Sequence, residues 1–395
     1  MSYQQSWHEF STISFALVIG TMGTALASPL YPIYQRLWQL QPIDITYIFV
    51  AYMLGCLATL LFLGRLSNYF GFLRSLQFGI ILVTLGLGLS IVAEHALFLG
   101  FARFIIGIAS GLITTSAMLG MLHSIPRSHQ SLAPQLSSVI AALGFGLGPL
   151  VGGLIAQLST TPLVTPYVPV LMGSILCFIG LCFLPKPQFV AQPFSIRPRL
   201  QMPIGSYRAL FCLVGFAAFS AFAAFSLFAS LSSSFVVSVL PNAGPLISGF
   251  AIALILFISA LIQFFARRLE AHRAIDQGLI GMILSLILLA LAMQFKSSWL
   301  FFISDILVGI GHGLTLLGAF ALVHRMSQDH NRAALISSYL FIAYLGTILP
   351  IIAAGVFADY FGLTQAILMF CIAMTVFCFI LLYWHTRLKQ QKALV

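Results

Sequence analysis

Long apolar runs alternate with short polar or proline-rich breaks along the whole chain. Each run approaches the roughly 20 residues that an α-helix needs to cross the hydrocarbon core of a bilayer. This pattern predicts an all-α integral membrane protein with twelve spanning helices. The predicted spans cover residues 12–33, 43–63, 72–92, 96–123, 133–157, 167–184, 207–238, 245–266, 275–294, 299–323, 333–357 and 364–384.

The composition supports a membrane environment and excludes several functions. Apolar residues make up 60% of the chain, charged residues 7%, and the mean hydropathy is +1.06, whereas soluble domains carry roughly 25% charged residues. The sequence contains no P-loop, so the chain does not itself hydrolyse ATP. It also lacks catalytic patterns of the HExxH, paired-carboxylate or Ser-His-Asp kind, and its six cysteines show no metal-binding spacing. Neither an enzyme nor a metal or cofactor site is expected.

Positive charges are distributed unevenly between the predicted loops. Lys and Arg concentrate on the side that carries both termini, and only Arg36 and Lys296 fall in loops on the opposite side. Cytoplasmic loops are enriched in Lys and Arg, so both termini are expected in the cytoplasm. The net charge of +10 reflects this topology and attraction to anionic lipid, and a nucleic-acid partner is not expected. The first residues lack a positive n-region, so no cleaved signal peptide is expected.

The longest polar break, residues 185–206, divides the twelve predicted spans into six and six. We therefore predict an N-terminal half over residues 1–184, a cytoplasmic linker over 185–206 and a C-terminal half over 207–395. The two halves also match each other at a fixed offset of 202 residues, which indicates a parallel internal repeat. The matching positions are Arg103 with Asp305, Gly107 with Gly309, Gly111 with Gly313, and residues 153–157 with 355–359.

The loop after the second predicted span has a distinctive spacing of glycine and arginine. It reads GRLSNYFGFLR, in which Gly64 and Gly71 fit the pattern GxxxDxxGxxxR/K and Arg74 stands one position before its final basic residue. Asn68 stands where that pattern has an aspartate. Asparagine keeps the ability to hydrogen-bond and to cap a helix, but it cannot form the ion pair of an aspartate.

Two further patterns lie inside predicted spans. The fourth span fits LxxxRxxxG through Leu99, Arg103 and Gly107. The fifth span fits GxxxGPxxGG through Gly144, Gly148, Pro149, Gly152 and Gly153. Together with the loop, these patterns make the chain resemble the major facilitator superfamily over nearly its whole length, and the glycine pattern resembles that of the antiporter, drug-exporting branches.

This resemblance implies an architecture and an activity. It implies two pseudo-symmetric six-helix halves, export of a small molecule by alternating access, protons as the exchanged ion, and a gating role for the loop of Gly64, Asn68, Gly71 and Arg74 on the cytoplasmic side. Residues 28–35, SPLYPIYQ, also resemble a group of bacterial exporters in the same branch. We therefore expect a monomer in the inner membrane of the cell that works without a cofactor.

The glycine-proline cluster of the fifth span allows two interpretations. Gly144, Gly148 and Gly152 recur every four residues and form one smooth ridge, against which another helix can pack closely. Pro149 removes one backbone hydrogen bond and permits a kink. The cluster is either a plain packing surface with no role in transport direction, or a tight seam between the two halves that limits leakage.

Ionisable residues inside the predicted spans are few, and they are candidates for function because they are expensive to bury in a bilayer. Away from the ends of the spans they are Arg103, Asp305 and His312, and the first span contains none as read over 12–33. One hypothesis is proton coupling, in which Asp305 binds the proton, Arg103 stabilises its charged form, and His312 assists or contacts substrate. The alternative is that Arg103 snorkels outward, Asp305 caps a helix or is solvated at the outer interface, and His312 is merely hydrogen-bonded.

Helical spacing also predicts which side chains face a central cavity. Ser110 and Thr114 share a face of the fourth span with its arginine. In the seventh span phenylalanine recurs every third residue, with Phe219 and Phe222 close to Ser226. These rings either face lipid and neighbouring helices, or they line an aromatic, weakly polar pocket suited to amphipathic molecules.

The favoured function is secondary active export of a small amphipathic, drug-like molecule in exchange for protons. A second hypothesis keeps the fold and changes the cargo to a native metabolite, such as a siderophore or an organic acid that uses Arg103. A third is a membrane receptor or scaffold, which would show no substrate-dependent flux. Sugars and polyanions fit less well, because the predicted cavity carries few charges.

Overall fold

The computed structural model describes residues 7–185, 197–198, 200–205, 207–240, 243–328 and 331–393. In these ranges all regular structure is helical, which confirms the predicted fold class. The helices are α1 (Trp7–Ala25), α2 (Tyr31–Trp38), α3 (Pro42–Ala58), α4 (Leu66–Phe70), α5 (Phe72–Ile91), α6 (Ala96–Ser124), α7 (Ala133–Leu158), α8 (Tyr167–Cys182), α9 (Tyr207–Val239), α10 (Pro245–Phe265), α11 (Ala271–Phe295), α12 (Ser298–Met326), α13 (Arg332–Phe361) and α14 (Leu363–Ala393).

The helices follow the predicted spans in order. Eleven stretches of the described chain are long and apolar enough to cross a membrane, and α8 adds a shorter apolar helix of 16 residues. The fourth and fifth predicted spans are α6 and α7, the seventh and eighth are α9 and α10, and the ninth to twelfth are α11 to α14. The chain is therefore a multi-pass membrane protein.

The first helix begins earlier than the sequence predicts. α1 starts at Trp7, and Glu9 lies in its first turn with only 6% of its surface exposed. The prediction that the first span contains no ionisable residue is therefore wrong. The added turn is supported by aromatic contacts that hydropathy does not detect, because the Trp7 ring lies 5.6 Å from that of Phe10 and 5.4 Å from that of His129.

The helices group into two compact units. Unit 1 comprises residues 1–40, 47–198 and 244–253. In this unit α1 packs against α6, α7 and α8, and α5 packs against α6 and α8. α3 and α6 meet backbone to backbone, since a β-carbon built on Gly107 would lie only 2.9 Å from the Cα of Gly55. Glycine at both positions permits this approach.

Unit 2 comprises residues 41–46, 199–243 and 254–395. In this unit α11 and α12 pack along their length, and α9 packs against α12, α13 and α14. A β-carbon built on Gly311 of α12 would lie 2.9 Å from the backbone oxygen of Gly278 on α11. Small residues thus hold this pair of helices together as they hold α3 and α6 in unit 1.

The predicted linker, residues 185–206, lies mostly outside the described residues. The division into a half over 1–184, a linker and a half over 207–395 therefore stays a prediction.

Candidate functional site

Arg103 lies on α6 in unit 1 and is buried, with 1% of its surface exposed. Its Nη1 donates a hydrogen bond to the backbone oxygen of Thr24, near the end of α1, at 2.6 Å. The guanidinium carbon lies 4.7 Å from the centre of the Tyr52 ring, a cation–π distance. Nε is buried without a hydrogen-bond partner in the described chain. The alternative that Arg103 snorkels outward is therefore wrong.

Four tyrosines surround this arginine. The hydroxyl of Tyr31 lies beside the guanidinium, yet it has no partner at hydrogen-bond geometry among the described residues. The hydroxyls of Tyr34 and Tyr167 meet at 3.1 Å, and those of Tyr52 and Ser110 at 3.2 Å. Sequence reasoning missed the tyrosines as site residues, although the SPLYPIYQ stretch contains two of them.

Ser110 and Thr114, the two polar candidates on the arginine face of α6, have different hydrogen-bond partners. Ser110 is buried and belongs to the cluster through its contact with Tyr52. Thr114 is half-buried, and its hydroxyl donates to the backbone oxygen of Ser110 at 2.8 Å, one turn earlier on the same helix. The structure thus brings Ser110 to the arginine cluster, whereas the hydroxyl of Thr114 is engaged by its own helix.

Asp305 lies on α12 in unit 2 and is 0% exposed. Both of its carboxylate oxygens are buried without a hydrogen-bond partner in the described chain, and none of the ion pairs found there includes it. The cap of α12 is Ser297, whose Oγ accepts from the backbone N–H of Leu300 at 3.5 Å. Asp305 therefore neither caps its helix nor reaches the surface, so the outer-interface alternative is wrong.

His312 lies two turns further along α12, among polar and aromatic side chains of unit 2. Its Nδ1 and the hydroxyl of Ser259 on α10 are 2.8 Å apart, and the amide of Gln263 donates to the same hydroxyl at 3.1 Å. The rings of Phe222 and Phe225 on α9 each lie 5.8 Å from the imidazole. Sequence reasoning missed Ser259 and Gln263, because no local pattern links α10 to a histidine that lies 53 residues after Ser259.

The other candidates of α9 lie apart from this histidine. The ring of Phe219 packs 5.7 Å from that of Phe377 on α14. Ser226 is buried, and its hydroxyl donates to the backbone oxygen of Ala223 on its own helix at 2.8 Å. Of the three candidates predicted on α9, the structure places only Phe222 against His312.

The glycine ridge of α7 packs against α1 within unit 1. β-Carbons built on Gly148 and Gly152 would lie 2.5 and 2.7 Å from the backbone oxygens of Met22 and Leu26, and Gly144 also faces α1. Larger residues do not fit at such distances. These three glycines join two helices of one unit, which fits the packing interpretation of the ridge. A seam between the predicted halves stays a prediction, because Pro149 and Gly153 of the same cluster face residues 245–249.

Gly153 faces a different helix from the ridge. A β-carbon there would lie 3.1 Å from the Cα of Leu246 in the first turn of α10, a segment that also belongs to unit 1. One turn later, Oε1 of Gln157 accepts a hydrogen bond from the backbone N–H of Leu246 at 3.3 Å. Pro149 lies inside α7, which continues through it, and its carbonyl group faces Gly249 of α10.

The loop of Gly64, Asn68, Gly71 and Arg74 connects the π-helical turn after α3, through α4, to α5. Gly71 has a φ of 85°, a left-handed value that favours glycine, which explains this position of the pattern. Asn68 and Arg74 are exposed, and α5 begins without a side-chain cap. Asn68 thus does not cap α5, and the gating role of the loop stays a prediction.

A second polar cluster, which sequence reasoning missed, joins α11 and α14 in unit 2. His385 is 0% exposed, and its Nδ1 lies 2.6 Å from Oδ1 of Asp276. Its Nε2 lies 2.9 Å from Nδ1 of His272, and Lys389 forms an ion pair with the other oxygen of Asp276. Asp276 stands at the edge of the ninth predicted span and His385 just beyond the twelfth, so neither signals a site in the sequence.

Comparison with known families gives one match over most of the chain. A family model described as Major Facilitator Superfamily matches residues 13–277 and 277–394.

Two named relatives align with part of the chain. The riboflavin transporter RibZ of Clostridioides difficile is 23% identical over 184 residues, which is 47% of this chain and 40% of that protein. The multidrug efflux protein YfmO of Bacillus subtilis is 26% identical over 179 residues, or 44% of each chain. The alignments thus span less than half the length of these relatives.

Solved structures share the fold over almost the full length. A bacterial homologue of the human lysosomal transporter Spinster, in an inward-facing and occupied conformation, gives a TM-score of 0.72 at 13% identity and covers 96% of both chains. The human organic anion transporter MFSD10 (TETRAN) gives 0.64 at 15% identity and covers 95% of this chain and 99% of that one. At such identities the likeness shows the fold alone.

Proposed function

Because the chain belongs to the major facilitator superfamily and is a membrane transporter rather than an enzyme, we propose that it exports a small amphipathic molecule in exchange for protons. Alternating access of two six-helix halves is the mechanism that fits an internal repeat of this kind. The export direction is supported by the GxxxGPxxGG pattern of α7 and by the partial likeness to a multidrug efflux protein. In this proposal Asp305 carries the proton and the surroundings of His312 contact the substrate.

The burial of Asp305 is the observation that carries the proposal. It is fully covered on a membrane-spanning helix, with both oxygens unpartnered in the described chain. A carboxylate in such surroundings is costly to keep charged, because neither a donor nor a cation replaces the water that it loses. Asp305 is therefore expected to hold a proton while it is covered and to release it when a conformational change brings it to water. Proton-driven exchange requires such a side chain.

The surroundings of His312 suit an amphipathic substrate. Phe222 and Phe225 offer two aromatic faces, and Ser259 and Gln263 add a hydroxyl and an amide beside the imidazole. Apolar walls with a few polar groups bind drug-sized molecules and fix their orientation. A molecule with an aromatic body and one or two hydrogen-bonding groups fits this set.

We also propose a membrane location, an orientation and an oligomeric state for the protein. The distribution of Lys and Arg between the loops supports cytoplasmic termini in an inner membrane. The exposed loop of Asn68 and Arg74 then lies on the cytoplasmic side as a gate. A single chain contains both predicted halves, so a monomer suffices for alternating access.

One observation favours a second class of substrate, an acidic metabolite. Arg103 is buried and has no acidic partner among the described residues. A native metabolite that carries an acid group, such as an organic acid or a siderophore, would supply the missing negative charge.

Uptake into inside-out membrane vesicles tests the proposal. Vesicles that contain the protein and have an acidic lumen should accumulate at least one compound from a panel of amphipathic drugs and organic acids. Dissipation of the pH gradient should abolish this accumulation. If no compound accumulates in response to the gradient, the exporter assignment is wrong.

The role of Asp305 is tested in the same vesicles with two variants that lose one negative charge each. Asp305→Asn should abolish gradient-driven accumulation and retain counterflow of substrate at equal pH, since the neutral amide mimics the protonated acid. Glu94→Gln, at an exposed loop position, is the matched control and should behave like the parent. Full gradient-driven accumulation by Asp305→Asn would exclude Asp305 as the proton carrier.

A further inference from the structure

We propose that Arg103, together with Tyr31, Tyr34, Tyr52 and Tyr167, forms a binding site for the carboxylate of an aromatic organic acid. All five residues belong to unit 1. The inference rests on the proposed function for what happens to the ligand afterwards, and it names the substrate class that the exporter takes. Binding at this site can be measured without any transport.

Arg103 carries a charge that no acidic side chain of the described residues compensates. Arginine stays protonated in proteins, so the buried guanidinium of Arg103 is a permanent positive charge. The described chain gives it one backbone oxygen, that of Thr24, and one aromatic face, that of Tyr52. None of the ion pairs in the described chain includes it. Buried charges in proteins are normally paired, so an anion from outside the chain would complete this site.

Two hydrogen-bond donors of the site lack an acceptor in the described chain. Nε of Arg103 and the hydroxyl of Tyr31 are both buried without a hydrogen-bond partner in the described residues, and they lie beside each other. An N–H of a planar guanidinium and a phenolic O–H are donors that a carboxylate accepts with its two oxygens. The hydroxyls of Tyr34 and Tyr167 pair with each other at 3.1 Å, so they leave Tyr31 available.

Aromatic rings surround the guanidinium. The ring of Tyr52 lies under the guanidinium at 4.7 Å, and the ring of Tyr34 packs 4.7 Å from that of Trp38. Aromatic rings favour flat ligands, which they contact edge to face or in offset stacks. The guanidinium and Trp38 already cover one side of the Tyr52 and Tyr34 rings. An aromatic carboxylate would therefore meet the edges and remaining faces of these rings, whereas a small inorganic anion would use the charge alone.

The burial of the site agrees with this role. Arg103, Tyr31 and Tyr167 are all 1% exposed or less, so a ligand reaches them only when the surrounding helices separate. Alternating access, as proposed above, uncovers such a site during each cycle. A ligand held there would travel across the membrane with its charge neutralised by Arg103.

The test compares an aromatic acid with its neutral amide. Salicylate should raise the thermal unfolding temperature of the purified full-length protein in a saturable manner, and salicylamide, which has the same ring and no charge, should not. Sodium chloride and inorganic phosphate at matched ionic strength should also give no saturable shift. Equal stabilisation by acid and amide, equal stabilisation by chloride or phosphate, or no stabilisation by salicylate would each overturn the proposal.

Variants locate the site. Arg103→Gln should weaken salicylate binding by about tenfold or more, as expected when a charge-assisted hydrogen bond is removed, and Tyr31→Phe should weaken it by a smaller factor. Arg36→Gln is the matched control, because Arg36 is exposed, and it should bind like the parent. Unchanged binding by Arg103→Gln would place salicylate elsewhere and overturn the proposal. If that variant does not fold, Tyr31→Phe and the comparison of salicylate with salicylamide still test whether the acid binds at this site.

Salicylate binding and gradient-driven flux are measured independently, so their results distinguish failure of the binding site from failure of the export function. Selective binding of salicylate with no gradient-driven flux in vesicles would support the site and contradict the exporter. Flux of neutral drugs without binding of salicylate would support the exporter and contradict the site.

Discussion

Asp359, at the end of α13, accepts a hydrogen bond on Oδ1 from the backbone N–H of Ile43, in the first turn of α3, at 3.2 Å. The repeat relates Asp359 to Gln157, whose Oε1 accepts from Leu246 in the first turn of α10 at 3.3 Å. Positions that the sequence repeat relates thus make equivalent contacts: each side chain accepts a hydrogen bond from the first turn of another helix. Each side chain satisfies a backbone donor that helix geometry leaves free.

The contact of Asp359 predicts a loss of stability on truncation. Asp359→Ala should lower the free energy of unfolding by about 0.5–2 kcal/mol, the usual effect of removing a capping side chain, and Asp359→Asn by less because it still accepts. Thermal unfolding of the purified protein measures the difference, with Glu94→Ala at an exposed loop as control. An unchanged unfolding temperature for Asp359→Ala would show that the hydrogen bond contributes nothing.

At Gln157 a substitution is expected to preserve or raise the free energy of unfolding. Gln157→Glu places a negative charge at the N-terminus of α10, where the helix dipole favours it by about 0.3–1 kcal/mol. The variant should therefore unfold at the parent temperature or above it. A clear decrease would mean that the amide group of Gln157 is needed for a contact beyond Leu246.

The glycine ridge predicts a steric effect. Gly148→Ala should lower the free energy of unfolding by about 1–3 kcal/mol, the usual range for overpacking, because the new methyl group would lie 2.5 Å from the backbone oxygen of Met22. Gly88→Ala is the matched control, since a β-carbon there meets nothing within 4 Å. Size-exclusion profiles and thermal unfolding compare the two, and equal behaviour would show that α1 and α7 can separate without penalty.

The contact of Ser259 with His312 predicts an effect on substrate affinity. Ser259→Ala removes the hydroxyl that orients the imidazole and leaves the aromatic rings in place, so the apparent KM should rise by about tenfold, the value of one hydrogen bond. Transport assays in vesicles measure it. Ser90→Ala removes a buried hydroxyl that donates to the backbone oxygen of Gly86 on its own helix and should leave the KM unchanged. A normal KM for Ser259→Ala would remove Ser259 from the substrate site.

The cluster between α11 and α14 predicts coupling between Asp276 and Lys389. Asp276→Asn should destabilise the protein by about 1–3 kcal/mol, since it weakens a charged hydrogen bond to buried His385. The double variant with Lys389→Met should be less destabilised than the sum of the two single variants, because both remove the same ion pair. Additive effects in thermal unfolding would show that the pair makes no net contribution.

The sequence predicts the fold well because a bilayer restricts the choices. Spanning helices must be long and apolar, and this requirement alone identifies α3, α6 or α12 from hydropathy. The same cost singles out Arg103 and Asp305 as candidates, and both are buried in the structure. These inferences need only local patterns and the energy of a charge in lipid.

The partners of these residues depend on contacts between distant segments. Tyr167 meets Tyr34 across 133 positions, and Ser259 meets His312 across 53. No periodicity encodes such pairs. The hydropathy pattern does not include Glu9 for a different reason. The apolar run begins after this residue, and aromatic packing extends the helix toward the N-terminus. The glycine ridge was recognised as a packing surface, but spacing alone does not name the helix that lies against it.

The hydrogen bond from Arg103 to Thr24 gives the arginine a second task. Thr24 is the penultimate residue of α1, where the backbone oxygens of a helix carry partial negative charge, so Arg103 holds that end of the helix in place. An anion bound at Nε would leave this bond of Nη1 in place, so one guanidinium would hold both the anion and the end of α1. Any movement of that end of the helix would then be coupled directly to the bound cargo.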